Sequence, residues 1–138
     1  MKLVLDASMA LAWIFERSNP EEKKQADQLL SSFQEYEVIV PALWHIEIAN
    51  ALLVGERRKI LTEAQIIDYT NRLSKLPITT DNLAPASRRE PLMALARAHA
   101  LTAYDATYLD LALRLGATLA TFDKALAKAV TEAGATLF

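Results

Sequence analysis

Four carboxylates, Asp6, Glu47, Asp105 and Asp123, are the residues of this chain whose types and positions could do chemistry. Oxygen donors of this kind suit Mg²⁺ or Mn²⁺, ions that keep several waters and share few protein carboxylates with a substrate phosphate. Gathered without a cation, the acids would repel one another and shift their pKa values upward. With one, they could polarise a phosphodiester and activate a water for in-line attack. Other chemistries are poorly provided for. Cysteine is absent, which removes disulfides, thiolate-bound zinc and thiol catalysis, and His45 and His99 are the only histidines. The three glycines, Gly55, Gly116 and Gly134, form neither a dinucleotide fingerprint nor a phosphate-binding loop. No HExxH or GxSxG occurs.

Each acid has a structural reading to set beside the chemical one. Asp6 follows the apolar run Lys2–Leu5, and Asp123 follows Thr118–Phe122. Sites in open α/β sheets lie beyond the carboxyl ends of the strands, which is where both would fall. Both also precede helical segments, so helix capping alone could account for either. Asp105 reads first as part of a capping box, Thr102-Ala103-Tyr104-Asp105. Glu47 resists such a role. At about 100° per residue, Leu43, Ala51 and Val54 surround it, with Asn50 one turn ahead. An isolated carboxylate on an apolar helix face costs roughly several kcal/mol unless a cation or hydrogen bonds compensate it. No Lys or Arg is at hand on that face, since Arg57 and Arg58 lie beyond Gly55. Asp110 stands about 140° around the helix from Asp105, which places it outside any shared site.

The elements that must position these acids are short apolar strands alternating with helices. Strands are expected at Lys2–Leu5, Glu37–Val40, Ile78–Thr80, Thr118–Phe122 and Thr136–Phe138. Helices are expected at Ala7–Glu16, from Pro20 (capped by Asn19) to about Gln34, Ala42–Arg57, Thr62 to near Pro77, about Pro85–Leu101, Ala103–Leu115 and Asp123–Ala133. Such alternation means a parallel sheet, because parallel strands need helical crossovers. The expected fold class is α/β, with a central parallel sheet flanked by helices on both faces. At 138 residues, without repeats or a Pro/Gly-rich linker, the chain reads as a single domain over residues 1–138.

Four blocks in order, Val4-Leu5-Asp6-Ala7-Ser8, Glu47-Ile48-Ala49-Asn50-Ala51-Leu52, Leu101-Thr102-Ala103-Tyr104-Asp105-Ala106 and Leu119-Ala120-Thr121-Phe122-Asp123, resemble the PIN-domain family. Within that family they resemble more closely the VapC-type toxins of prokaryotic toxin–antitoxin operons, and the likeness covers essentially the whole chain. It implies a single-stranded RNA endonuclease dependent on Mg²⁺ or Mn²⁺, usually a homodimer, held inactive by a cognate antitoxin. Carried over by position, it places Asp6, Glu47, Asp105 and Asp123 on the family's acidic quartet. Ser8, Asn50 and Thr121 fall on the polar companions that hydrogen-bond carboxylates or metal-bound water.

Arg17, Arg58 and Lys124, with Arg57, Lys59, Arg88 and Arg89, are candidates for phosphate contact, although solvated surface is the ordinary role of such residues. The formal net charge of −2 carries no global nucleic-acid signature. Trp13, Trp44 and Tyr108 are assigned to core or dimer packing before base stacking. Apolar surface near Trp13, Trp44 and the Leu29/Leu30 face is expected to support a dimer. The opening residues reach a charge too early for a signal peptide, and no apolar run approaches membrane-spanning length. The expected address is therefore the cytoplasm, with no membrane partner. Two rivals stand beside the nuclease. One is an aspartate-nucleophile phosphatase, which would want a second Asp where Ser8 stands. The other is a non-catalytic RNA- or partner-binding module.

Overall fold

A computed structural model describes residues Met1 to Phe138. Five strands form one parallel sheet: β1 (Lys2–Leu5), β2 (Glu37–Val40), β3 (Ile78–Thr80), β4 (Thr118–Ala120) and β5 (Thr136–Leu137). Seven α-helices surround it: α1 (Ala7–Leu11), α2 (Pro20–Ser31), α3 (Ala42–Arg57), α4 (Glu63–Ser74), α5 (Arg89–His99), α6 (Ala103–Leu115) and α7 (Lys124–Glu132). The strand order is β3-β2-β1-β4-β5, with every neighbouring pair parallel. The chain builds outward from β1 on one side and resumes at β4 on the other. The β1/β4 junction is therefore the topological switch point, where open α/β sheets place their ligands.

Burial explains the apolar character of the central strands. Leu3, Val4 and Leu5 are all fully buried, and Val38, Ile39 and Val40 are buried as well. Consecutive residues of a strand face opposite sides, so runs of this kind require cover on both faces of the sheet. The same core takes in Trp44 and Leu29, two residues expected to help supply a dimer surface, and their apolar area is spent inside the protomer. Leu30 of the same expected face stays exposed, as do Ile46 and Leu53 on α3, Ile60, and Ile67 on α4. No helix is long and apolar enough to cross a membrane.

Three of the departures from the sequence reading have an identifiable physical cause. The first helix stops at Leu11, where the sequence suggested Glu16. Beyond it Trp13 N–H bonds back only three residues, to Ala10 (3.2 Å), and the chain tightens into turns. The Trp13 indole donates to the Ala26 carbonyl of α2 (2.8 Å), which fixes that turn against its neighbour. The Pro85–Leu101 segment divides into a 3-10 turn, Pro85–Arg88, and α5, with Pro91 in the first turn of the helix, where its missing N–H costs nothing. Strand β4 ends at Ala120, two residues early, because the N–H groups that follow turn away from the ladder toward side chains.

Gly55 is the glycine whose small size the packing uses. It is buried in α3, and a Cβ there would stand 2.9 Å from the Phe15 ring and 3.1 Å from Leu61 Cδ1. Helix propensity alone favours alanine at this position by about 1 kcal/mol. Overpacking of a filled core costs about 1–3 kcal/mol and should win. Gly55→Ala is expected to lower the melting temperature, as read by circular dichroism; a rise would show that Phe15 yields freely.

Candidate functional site

The carboxyl edge of the sheet at the β1/β4 junction opens into a cleft of about 340 Å³. Asp6, Glu47, Asp105 and Asp123 all line it, together with Ser8 and Asn50. Each acid comes from a different element. Asp6 follows β1, Glu47 lies within α3, Asp105 lies in the first turn of α6, and Asp123 precedes α7. Ala7, Leu11 and Ala51 complete the lining, and no Lys, Arg or His takes part.

The capping alternatives now separate. Asp6 stands before α1 but makes no side-chain cap bond. Thr102 caps α6 by accepting the Asp105 N–H (3.1 Å), yet the reciprocal bond from the Asp105 carboxylate is not made. The Asp105 side chain is left to the cleft. Asp123 does cap its helix, its Oδ1 accepting the Leu126 N–H at 2.8 Å. Its other oxygen has no protein partner.

Asp6 is held by a network that also closes the β4–α7 connection. Ser8 Oγ and Thr121 Oγ1 both donate to Asp6 Oδ2, at 2.6 and 2.7 Å. Each hydroxyl in turn accepts a backbone N–H from the connection, Phe122 N–H to Ser8 Oγ and Asp123 N–H to Thr121 Oγ1, both at 2.9 Å. Backbone donors near a buried carboxylate must find acceptors, and these two hydroxyls serve them. Thr121 does this from behind, buried and outside the cleft lining. Ser8 and Thr121 thus stand where the family pattern put carboxylate-binding companions, and Asn50 faces the cleft without a side-chain partner.

Electrostatics in the cleft run against ionisation. Burial raises the pKa of Asp6; the Ser8 and Thr121 bonds oppose this, and the charge of Asp123 adds to it. Burial likewise raises Glu47, with further pressure from Asp6 and Asp105. Asp105 is raised by burial and by Asp123 and Asp6. No three of the acids are gathered tightly enough to ligate one ion together. Unshielded like charges favour such spacing.

One participant escaped the sequence reading. Tyr108, assigned there to packing, is fully buried and donates its hydroxyl to Glu47 Oε1. Burial, the Glu47 bond and the nearby carboxylates keep this phenol firmly protonated. The sequence signal was its spacing, three residues after Asp105 and therefore on the same face of α6.

Of the basic candidates, Arg17 is engaged by Glu22 (2.6 Å) and lies over the Phe122 ring, 4.7 Å from its centroid, beside Asp123. Arg58 follows α3 as its C-cap residue and Lys124 begins α7, both exposed. Arg88 is not available for phosphate, because its Nε is bound to Asp110 Oδ2 (3.0 Å). Asp110 lies outside the cleft, as its helical position implied.

The raised acids make stability depend on pH with a definite sign. A folded chain that keeps protons the unfolded chain has released loses stability as pH rises through that interval. The metal-free protein is expected to melt at progressively lower temperature as pH rises above the ordinary carboxylate range, less steeply in Asp6→Asn. Asp110 acts oppositely and elsewhere. Burial alone would raise its pKa, but Arg88 and Arg114 lower it, so its contribution is lost only below the ordinary carboxylate range. Melting temperatures that climb as pH rises above the ordinary carboxylate range would contradict the assignment of raised acids.

The model of the PIN domain matches residues 3–131. Among curated proteins, the chain is 38% identical over 129 residues to ribonuclease VapC3 of Pyrobaculum aerophilum, covering 93% of this chain and 94% of that protein. Among solved structures, it resembles PAE2754 from Pyrobaculum aerophilum, with a TM-score of 0.67 and 23% identity over 99% of this chain and 83% of the other. It also resembles FitAcB from Neisseria gonorrhoeae, with a TM-score of 0.64 and 17% identity over 99% and 96%. The structural likenesses speak for the fold. The family match spans nearly the whole chain and includes every acid of the cleft, and on it the chain belongs to the PIN-domain family.

Proposed function

We propose that this protein is a metal-dependent endoribonuclease of single-stranded RNA, the toxin of a toxin–antitoxin pair, acting as a homodimer. The observation that carries the reading is the cleft itself. Four elements bring four carboxylates to one place, and no basic side chain lines it to neutralise them. The similarity to a ribonuclease VapC supports RNA as the substrate and an antitoxin as the partner.

The donor set fits Mg²⁺ or Mn²⁺. It is all oxygen, and these ions commonly take one or two protein carboxylates and complete their shell with water and substrate phosphate. Looser spacing of the acids than a closed protein cage requires is compatible with that habit. Asp6, Glu47, Asp105 and Asp123 are the residues that would hold the ion, Asp6 and Asp105 as its direct anchors and Glu47 and Asp123 through the waters of its shell. Bound there, it would neutralise the acids and polarise the scissile phosphodiester.

The chain's own groups supply orientation. Ser8 and Thr121 keep the Asp6 carboxylate fixed and favour its charged form. Glu47 and Asp123 each retain one oxygen without a protein bond, so either can accept a proton from the attacking water and aim its lone pair at phosphorus. Arg17, Arg58 and Lys124 are assigned to the RNA backbone around the cleft. The exposed Ile46, Leu53, Ile60 and Ile67 are the apolar surface from which a second copy could gain contact. The phosphatase reading is disfavoured by Ser8, which stands where that chemistry would want a second Asp and instead donates to Asp6 Oδ2.

Substitution tests the assignment directly. Asp6→Asn, Asp105→Asn and Glu47→Gln should fold yet lose RNA cleavage by orders of magnitude, and EDTA should do the same to the wild type. Asp110→Asn should cleave but melt lower, because it weakens a buried ion pair. Full activity in well-folded Asp6→Asn and Asp105→Asn would defeat the mechanism. Mg²⁺ at about ten times its dissociation constant should add about 1.4 kcal/mol of stability, read as a rise of roughly 3–8 °C in melting temperature. No rise with either Mg²⁺ or Mn²⁺ would count against a preformed site.

A further inference from the structure

Glu47 is the one acid of the cleft that neither a strand end nor a helix N-terminus positions. It projects from the interior of α3, and the only side chain bonded to it is Tyr108 of α6. That tyrosine has no exposed surface, so its hydroxyl has no water to exchange for the carboxylate. The bond engages Oε1 and leaves Oε2 free. Tyr108 also sits one turn after Asp105 on the same helix, so a single element carries one acid of the cleft and the group that orients another.

We propose that Tyr108 is a positioning residue of the nuclease site, whose hydroxyl locks the Glu47 carboxylate in the orientation that presents Oε2 to the metal and the attacking water. This rests on the nuclease reading for its catalytic consequence, but not for its geometry. A carboxylate on a flexible side chain with three rotatable bonds would otherwise sample several rotamers. Repulsion from Asp6 and Asp105 would drive it outward, away from the other acids. The buried hydroxyl opposes both tendencies with a bond that cannot be lost to solvent. Groups that orient metal-binding carboxylates are commonly worth about 10–100-fold in metal affinity or activity.

Tyr108→Phe removes the hydroxyl and keeps the ring, so the core stays filled. Tyr36→Phe serves as the control, since Tyr36 packs edge-on against Phe138, away from the cleft. Titration calorimetry with Mn²⁺ alone, without RNA, should show affinity reduced about 10-fold or more in Tyr108→Phe and unchanged in Tyr36→Phe. At saturating Mn²⁺, kcat should fall while KM for RNA stays within error. A purely structural role would instead lower the melting temperature and leave Mn²⁺ affinity and kcat alone. Wild-type Mn²⁺ affinity and kcat in a folded Tyr108→Phe protein would overturn the proposal. A crystal structure of the variant decides the geometry separately. Displacement of the Glu47 carboxylate supports the proposal even for a protein that cleaves no RNA; an unmoved Glu47 refutes it even for one that does.

Discussion

Asp6 carries a carboxylate that is 5% exposed, at the point where the two halves of the sheet meet, and the architecture around it answers to that buried charge. Its Oδ2 takes hydroxyl bonds from Ser8, two residues on, and from Thr121, at the far end of the sequence. Those hydroxyls are then free to accept the N–H groups of Phe122 and Asp123. The same atoms that satisfy the buried charge therefore end β4 and shape the turn that delivers Asp123. Without an acid at position 6, Ser8 and Thr121 would lose their common acceptor. Parallel pairing of β1 with β4 brings the three residues into reach, and the Asp6 N–H bond to Ala120 (2.9 Å) sets the register at the edge.

The other acids draw on different means. Asp105 and Asp123 lie at the N-termini of α6 and α7, where unpaired N–H groups and the helix dipole favour negative charge. Asp123 takes that support directly through Leu126, whereas Asp105 takes the field and leaves the capping bond to Thr102. Glu47 has neither support and depends on a neighbouring helix. This uneven distribution leaves the cleft with negative charge that the protein only partly compensates. In the proposed function a divalent cation would make up that deficit.

The order of elements and the edge on which the site lies were legible in the sequence because apolar runs and capping residues report local conformation. Asn19, Thr62 and Thr102 all cap as their spacing suggests, with the full capping box formed at Thr62. The short ends of β4 and α1 were not legible, since both are decided by distant partners. Thr118–Phe122 is uniformly strand-like in composition, and only the presence of Ser8, more than a hundred residues earlier, shows why Phe122 leaves the ladder. Tyr108 was hidden for a similar reason. Its aromatic ring belongs to the core in any reading, and its hydroxyl acquires meaning only when α3 is packed beside α6. The family pattern located Asp6, Glu47, Asp105 and Asp123, but it could not say which of them were also caps.

Asp110 of α6 and Asp6 just after β1 are two buried aspartates that the chain treats in opposite ways. Asp110, 4% exposed, is as buried as Asp6, yet its pKa falls where that of Asp6 rises. The difference is the partner. Arg88 and Arg114 each bring a full positive charge to Asp110, and Arg114 passes on to Asp81, tying α6 to the chain beyond β3. Hydroxyls supply direction to Asp6 but no net charge. Burial by itself is therefore a poor guide to function, since both aspartates share it. What distinguishes the cleft is burial without a counter-charge, repeated at three converging carboxylates. Folding stability would be served by an arginine beside any of these carboxylates, as at Asp110. Its absence leaves a concentration of negative charge that gains most from an added cation.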